Sequence, residues 1–373
     1  MLRLGYDAHA LFNNFTGPGN YSRTLLKNLT DYFPDHIYFL YATEVERNAE
    51  TQFFLNSALY HLQLPRYRPA VLWSLLGLQR ELRRHRVAIF HGLNAYLPPG
   101  LGRMGIRRVV TVHDLAFQRY PQFYSWEERL RRSRRIGQAC RRADRIVAIS
   151  ECTRRDLVEL YGVDPARIVV VYQSVHERYL TEKPPKVRRA VGERHHLPGE
   201  YLLYVGAVSR RKNLLAAVQA LETLPAADRL PLVVVGRSGT YRDEIVDYAR
   251  ARGLAALLHF IRPDFDELPA IYQKAAAFIY PSLYEGFGIP VLEALFSRIP
   301  VITSNTSSLP EAGGDAACLV DPTDPAAIGA ALQRVLQDSS LRQSMIERGW
   351  RHAQQFRGNP LTQRMMEVYE ALQ

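Results

Sequence analysis

The stretch Ala277-Phe-Ile-Tyr-Pro-Ser-Leu-Tyr-Glu285-Gly-Phe-Gly-Ile-Pro-Val-Leu-Glu293-Ala-Leu295 decides how the chain is read. Its first four residues, Ala277–Tyr280, make a short apolar strand. Pro290 suits the first turn of a following helix, where its missing N–H is not needed. Gly286-Phe287-Gly288 joins the two. Strand, loop and helix in that order are the unit of a parallel α/β sheet. Glu285 then lies in the loop at the strand's carboxyl end, and Glu293 about one turn into the helix. Exposed N–H groups of Gly286, Phe287, Gly288 and Ile289 would face an anion, helped by the helix dipole. A hydroxyl-accepting carboxylate beside such amides suits a sugar attached to phosphate. The same residues also read as a turn with an incidental capping acid.

The same alternation runs outward in both directions. Before it stand strands at Tyr201–Val205, Leu232–Val235 and Leu258–Phe260, and after it one at Val301–Thr303. Nearer the amino terminus, strands are expected at Leu2–Tyr6, Ile37–Tyr41, Val87–Phe90, Val109–Val112, Arg145–Ile149 and Ile168–Val171. Helical patterns fill the gaps at Tyr21–Tyr32, Leu72–His85, Trp126–Arg142 and Thr153–Tyr161. Glu182–Glu200, with Pro184, Pro185 and Pro198 among many charges, reads as an interdomain connection. The chain of 373 residues is thus expected to form two doubly wound domains, 1–180 and 181–358, with a ligand in the cleft between them. A terminal helix over 359–373 would pack back onto the first domain.

Composition narrows the class. Apolar residues make up 47% and charged residues 23%, which excludes a disordered or fibrous chain. Cys140, Cys152 and Cys318 have neither disulfide-framework nor thiolate-metal spacing, and no convincing Asp-x-Asp pair offers a cation site, so no metal is expected. The richest apolar run, Pro69–Leu78, is far shorter than the roughly 18 residues of a membrane span. MLRLGYD turns polar too early for a signal peptide, so a cytoplasmic protein is expected. Lys and Arg total 26 against 16 Asp and Glu in residues 1–180, and 22 against 21 thereafter. An excess confined to one half points to a polyanionic partner for that half, or to arginine-rich helices kept in solution.

Other residues fall where such sheets bind ligands. Arg211 and Lys212, after a strand and before a helix, can neutralise a diphosphate, or form a solvated basic loop. Gly17-Pro-Gly19-Asn20 opens a helix after the first strand; Gly19 would admit a phosphate close to the backbone, or simply make a tight turn. His113-Asp114 ends one strand and faces the cleft, or bonds a neighbouring loop. His91 ends another and would line an acceptor side.

EGFGIPVLE resembles the paired-glutamate motif of retaining nucleotide-sugar glycosyltransferases of family 4. TGPGNYSRTLL, FHGLN, VVTVHDL, ADRIVAISECTRRDL, YVGAVSRRKNLLAAVQAL and YPSLYEGFGIPVLEAL occur in that family's order over nearly the whole chain. The resemblance is strongest to a mannosyltransferase-like branch acting on surface polysaccharides. It implies the GT-B fold, two Rossmann-like domains facing an interdomain cleft, and transfer of a hexose without a metal. It implies no cofactor beyond the nucleotide-diphosphate sugar donor, and a glycan or lipid-linked acceptor. By position, Glu285 resembles the glutamate holding donor-sugar hydroxyls and Glu293 the one on the ribose. Gly17, Gly19, Arg211, Lys212 and the amides of Gly286–Ile289 fall on the donor side, and His113 beside the forming bond. Asn20, His91 and Asp114 fall on the acceptor side. Retention in the family is explained by front-face attack, the leaving phosphate taking the acceptor's proton.

Two positions depart from the pattern. Ala207 stands where many members have a phosphate-binding arginine, and Tyr172-Gln173-Ser174 stands at the crossover in place of Asn-Gly. An epimerase of the same fold would use the donor alone, which the basic first half disfavours. A non-catalytic nucleic-acid-binding protein would suit the charge, but no stacking motif or nucleic-acid module is present. Arginines 129, 131, 132, 134, 135, 141, 142 and 145 would let the helix rest on anionic headgroups, placing the protein on the inner face of the plasma membrane, or would only solvate it.

Overall fold

A computed structural model describes residues 1–65, 73, 77–237 and 239–373. The chain divides into two units, Met1–Ser174 with Gly358–Gln373, and Val175–Arg357. The division falls at Ser174, six residues before the position expected from the sequence.

In the first unit seven parallel strands are β1 (Arg3–Asp7), β2 (Ile37–Tyr41), β3 (Tyr60–Gln63), β4 (Ile89–Gly92), β5 (Arg107–Val112), β6 (Arg145–Ala148) and β7 (Ile168–Val170), in the order β3-β2-β1-β4-β5-β6-β7. The second unit repeats the scheme with β8 (Leu202–Val205), β9 (Leu232–Val235), β10 (Leu258–Ile261), β11 (Ala277–Tyr280), β12 (Val301–Ser304) and β13 (Cys318–Val320), ordered β10-β9-β8-β11-β12-β13 and parallel throughout. Strands such as LVVV and AFIY are fully buried, as parallel strands covered on both faces must be. In each sheet the order reverses once, at β1/β4 and at β8/β11. Such switch points open a crevice at the strands' carboxyl ends.

Two edge strands, β3 and β13, lie outside the expected set. The helix expected over Leu72–His85 is described from Leu78 to Arg84; its earlier part, and most of Pro69–Leu78, lie outside the described residues. Glu182–Glu200 is not a bare connection. Pro185–Arg194 is a helix that starts on its proline, where the ring is tolerated. It is fastened to the second unit by His195 Nε2 on Glu267 Oε2 at 2.8 Å and by an Arg194–Glu267 ion pair. The terminal helix Gly358–Glu370 belongs to the first unit, where Tyr369 is buried against Tyr6 and His91.

Candidate active site

The loops after β8 and β11, at the switch point of the second sheet, are sewn together by their own backbone. Leu283 N donates to Arg211 O at 2.9 Å, and the Asn213 side-chain amide to Pro281 O at 3.0 Å and Pro322 O at 2.7 Å. Asn213 has φ +56°, a left-handed conformation that asparagine tolerates better than most residues. This fixes Lys212 against Glu285. Lys212 Nζ reaches the two carboxylate oxygens at 2.6 and 2.7 Å, with Tyr280 Oη at 3.0 Å and Ser282 Oγ at 2.6 Å on Oε1. Arg211 lies 3.5 Å from Oε2 and donates to Tyr284 O. Burial alone would raise the Glu285 carboxyl, which is 8% exposed; the charges of Lys212 and Arg211, with bonds from Lys212 and Ser282, outweigh it and hold the pKa at about 2. Glu285 is therefore ionised at any working pH.

Beyond it the loop turns on Gly288, whose φ of +125° is closed to other residues, and whose absent Cβ would lie 3.0 Å from Leu309. Phe287 packs on Phe356, ring centroids 5.4 Å apart, and Ser308 Oγ donates to the carbonyls of Glu285 and Phe287. The N–H of Glu285 goes to Ser307 Oγ at 3.0 Å. The helix Ile289–Phe296 then begins, with Pro290 in its first turn. One turn in, Glu293 is buried and accepts from Tyr272 Oη at 2.9 Å. Burial pushes this carboxyl up to about 7, only partly opposed by Tyr272, Tyr179 and the Arg178 charge. Two glutamates eight residues apart thus sit in opposite electrostatic states. Arg178 in turn lies 4.0 Å over the Phe265 ring and 3.0 Å from Asp266.

The first unit holds the other candidates. Gly17 opens the helix Gly17–Tyr32 with nothing within 4 Å of its missing Cβ. At Gly19 that space belongs to the chain itself, because a Cβ would lie 1.6 Å from Asn14 O. The glycine is required by packing, whatever else approaches. The Asn20 side chain accepts from Arg23, and Asp114 Oδ1 accepts from Ala116 N at 3.0 Å, capping the turn after β5. His113 Nε2 bonds Leu93 O at 2.8 Å; a carbonyl only accepts, so Nε2 carries the proton and Nδ1 accepts from Gln173 at 3.3 Å. Burial holds this imidazole below its usual range, against the Leu93 bond and the Asp114 charge. His91 is 1% exposed, with Nδ1 2.7 Å from Tyr369 Oη and Nε2 2.8 Å from Thr111 Oγ1. It lines no surface open to an acceptor; the network inside the unit takes it up.

Ser282 and Tyr280 on Glu285, Tyr272 on Glu293 and Gln173 on His113 went unread in the sequence. Ser282 and Tyr280 stand within five residues of Glu285, a signal a closer reading could have used. The other two reach across 21 and 60 residues, and no local pattern announces them.

The architecture and this site define a glycosyltransferase of GT-B type. Residues 192–352 match the model of glycosyl transferases group 1, and residues 16–178 that of glycosyltransferase family 4. O-antigen chain mannosyltransferase B of Escherichia coli is 30% identical over 376 residues, 96% of either chain. Among solved structures, Anabaena HepE, crystallised with UDP and glucose, superposes with TM-score 0.77 at 16% identity over 100% of both chains. WaaG, a glycosyltransferase of lipopolysaccharide biosynthesis, gives 0.73 at 19% over 99% of both. The chain belongs to glycosyltransferase family 4, group 1, and its relatives include mannosyltransferases.

Proposed function

We propose that the protein is a retaining hexosyltransferase that moves a hexose, mannose on the likeness to the O-antigen enzyme, from a nucleoside-diphosphate sugar to a glycan or lipid-linked acceptor in surface polysaccharide synthesis. The observation that carries it is the Lys212–Glu285–Arg211 cluster beside the Gly288 turn, with Glu293 one helical turn away. In this reading Glu285 accepts hydroxyls of the donor sugar and Glu293 the two ribose hydroxyls. Lys212 and Arg211 meet the charge that grows on the diphosphate as it leaves, so a divalent cation is not needed for that task. The bond from the sugar's anomeric carbon to phosphate oxygen breaks, and a bond to the acceptor oxygen forms on the same face. The acceptor's proton passes to the departing phosphate. His113, neutral and fixed at both nitrogens, orients the reacting sugar instead of shuttling a proton.

A panel of nucleotide sugars scored by melting temperature tests the donor. Ligand at about 100 times its Kd should add ~2.7 kcal/mol of stability. Incubation of the stabilising sugar with and without acceptor extract, read by the anomeric coupling of the product, tests transfer and retention. Turnover should survive a strong chelator; loss that Mg²⁺ restores contradicts the metal-free reading. Product without acceptor would instead mark an epimerase.

The membrane contact is supported by one helix. No described helix is long and apolar enough to cross a bilayer. On Trp126–Arg142, however, Trp126 is 68% and Leu130 41% exposed, and Arg134 and Arg141 fall within roughly 80° of them at about 100° per residue. Exposed aromatic, aliphatic and arginine groups on one face suit an anionic interface. Arg135 and Arg142 do not belong to that face, since they donate to carbonyls of Asn94, Ala95 and Leu97.

A further inference from the structure

The excess positive charge of residues 1–180 has a place in the fold that the residues described above do not use. In the first sheet β1, β4, β5, β6 and β7 lie side by side, and an arginine stands at the amino end of each. Arg3 opens β1, Arg107 opens β5 and Arg145 opens β6; Arg167 immediately precedes β7, and Arg86 lies just before β4. The row ends at β2, which the chain enters through Asp35. The backbone laces these entries together. Ala88 N donates to Arg3 O at 2.9 Å, Arg107 N to Ala88 O at 3.0 Å and Asp144 N to Arg108 O at 2.8 Å. The Arg167 guanidinium donates to Cys140 O at 2.6 Å and to Ala143 O.

Most of this charge is not neutralised within the chain. Asp144 is taken by Arg108, whose Nη2 and Nε bond its two oxygens. Arg3 donates to His85 O, Arg145 to Asp144 O at 3.2 Å and Arg167 to the two carbonyls just named; a carbonyl leaves the charge of a guanidinium in place. The side chains of Arg86 and Arg107 are exposed and have no bonding partner among the described residues, and the other three are partly exposed. All five are arginine, whose planar fork matches a carboxylate through two parallel bonds. Four strand spacings of about 4.8 Å make the row about 19 Å long, a span that about six residues of extended chain would cross.

We propose that this row is a docking surface for an acidic segment of a protein partner, which lays its carboxylates across the strand entries. A bilayer does not suit the position. The row lies at the amino ends of the strands and the sheet's switch point at their carboxyl ends, so headgroups on the row would face the pole opposite the switch point.

Fluorescence anisotropy on the full chain tests this, with a fluorescein-labelled deca-glutamate as the probe at low and at physiological salt. The wild type should bind it, more weakly at the higher salt. Arg86→Gln with Arg107→Gln should weaken binding about tenfold or more, with the melting temperature and the sedimentation with phosphatidylglycerol vesicles unchanged. Arg131→Gln with Arg134→Gln removes the same charge from exposed positions of a helix and should shift the Kd by about twofold at most. No binding by the wild type, or an equal loss in the two double variants, overturns the docking surface. So does a loss of vesicle sedimentation in Arg86→Gln with Arg107→Gln, which would make the row a lipid contact.

Discussion

Glu285 and Glu293 show how far environment separates two identical side chains. Glu285 is ionised because cations surround it, so its stabilising contribution is present above pH about 4.5 and lost as pH falls toward about 2. Glu285→Gln keeps the shape and loses the charge on which Lys212 rests. Turnover should fall by ~2 kcal/mol of transition-state stabilisation or more, about thirtyfold, with little change in secondary structure by circular dichroism. Near wild-type turnover would remove Glu285 from the site. Glu293 works in the other direction. The folded protein holds its proton longer than the unfolded chain does, so stability falls as pH rises from about 4.5 to about 7. A carboxylate accepting two ribose hydroxyls must give that proton up. Nucleotide affinity should therefore rise between pH 6 and 8, and titration calorimetry in buffers of different ionisation enthalpy should record proton release. Flat affinity over that range would refute ribose binding by Glu293. Glu293→Gln should abolish the dependence and stabilise the free protein above pH 7, by about 3 kcal/mol at most.

At the scale of elements, Gly19 carries the sharpest prediction. A methyl group there would sit 1.6 Å from Asn14 O, so Gly19→Ala must displace the turn before the helix Gly17–Tyr32. We expect a loss of ~2 kcal/mol or more, seen as a melting temperature several degrees lower. An undisturbed melting temperature would show that the turn yields freely. The exposed face of Trp126–Arg142 gives a second. The protein should sediment with anionic vesicles and not with neutral ones, and Arg134 and Arg141 to Ser should release it. Equal binding to neutral vesicles contradicts an electrostatic contact.

Much at this scale was legible beforehand. Continuous apolar runs such as LVVV and AFIY cannot serve anywhere but a covered parallel strand, and Trp126–Arg142 begins and ends where the pattern placed it. The edge strands were not legible: Tyr60-His-Leu-Gln pairs on one side only and carries polar residues. Pro184 and Pro185 suggested a linker because proline breaks helices in their interior, whereas here Pro185 starts one. In the site, the motif residues were readable because local chain geometry places them. Their partners Tyr272 and Gln173 were not, since only the folded sheet brings them near. The sequence offers all eight arginines of 129–145 to headgroups or solvent, yet Arg135 and Arg142 donate to carbonyls in another loop.

Over the whole molecule, two sheets of one topology divide the work. The second sheet's switch point gathers cations around a carboxylate held ionised by them, and the excess positive charge lies on the first half. The last helix completes the first unit by placing Tyr369 on His91. Removing residues 358–373 should therefore lower the first unit's melting transition and leave nucleotide binding in the second in place.

The most direct measurement of the central claim compares ligands on Lys212→Ala. If Lys212 serves the diphosphate of a nucleotide sugar, calorimetry on the full chain should show nucleoside-diphosphate affinity falling at least tenfold, while the corresponding nucleoside binds as it does to wild type. Equal weakening of nucleoside and diphosphate, or no weakening of either, would contradict the account.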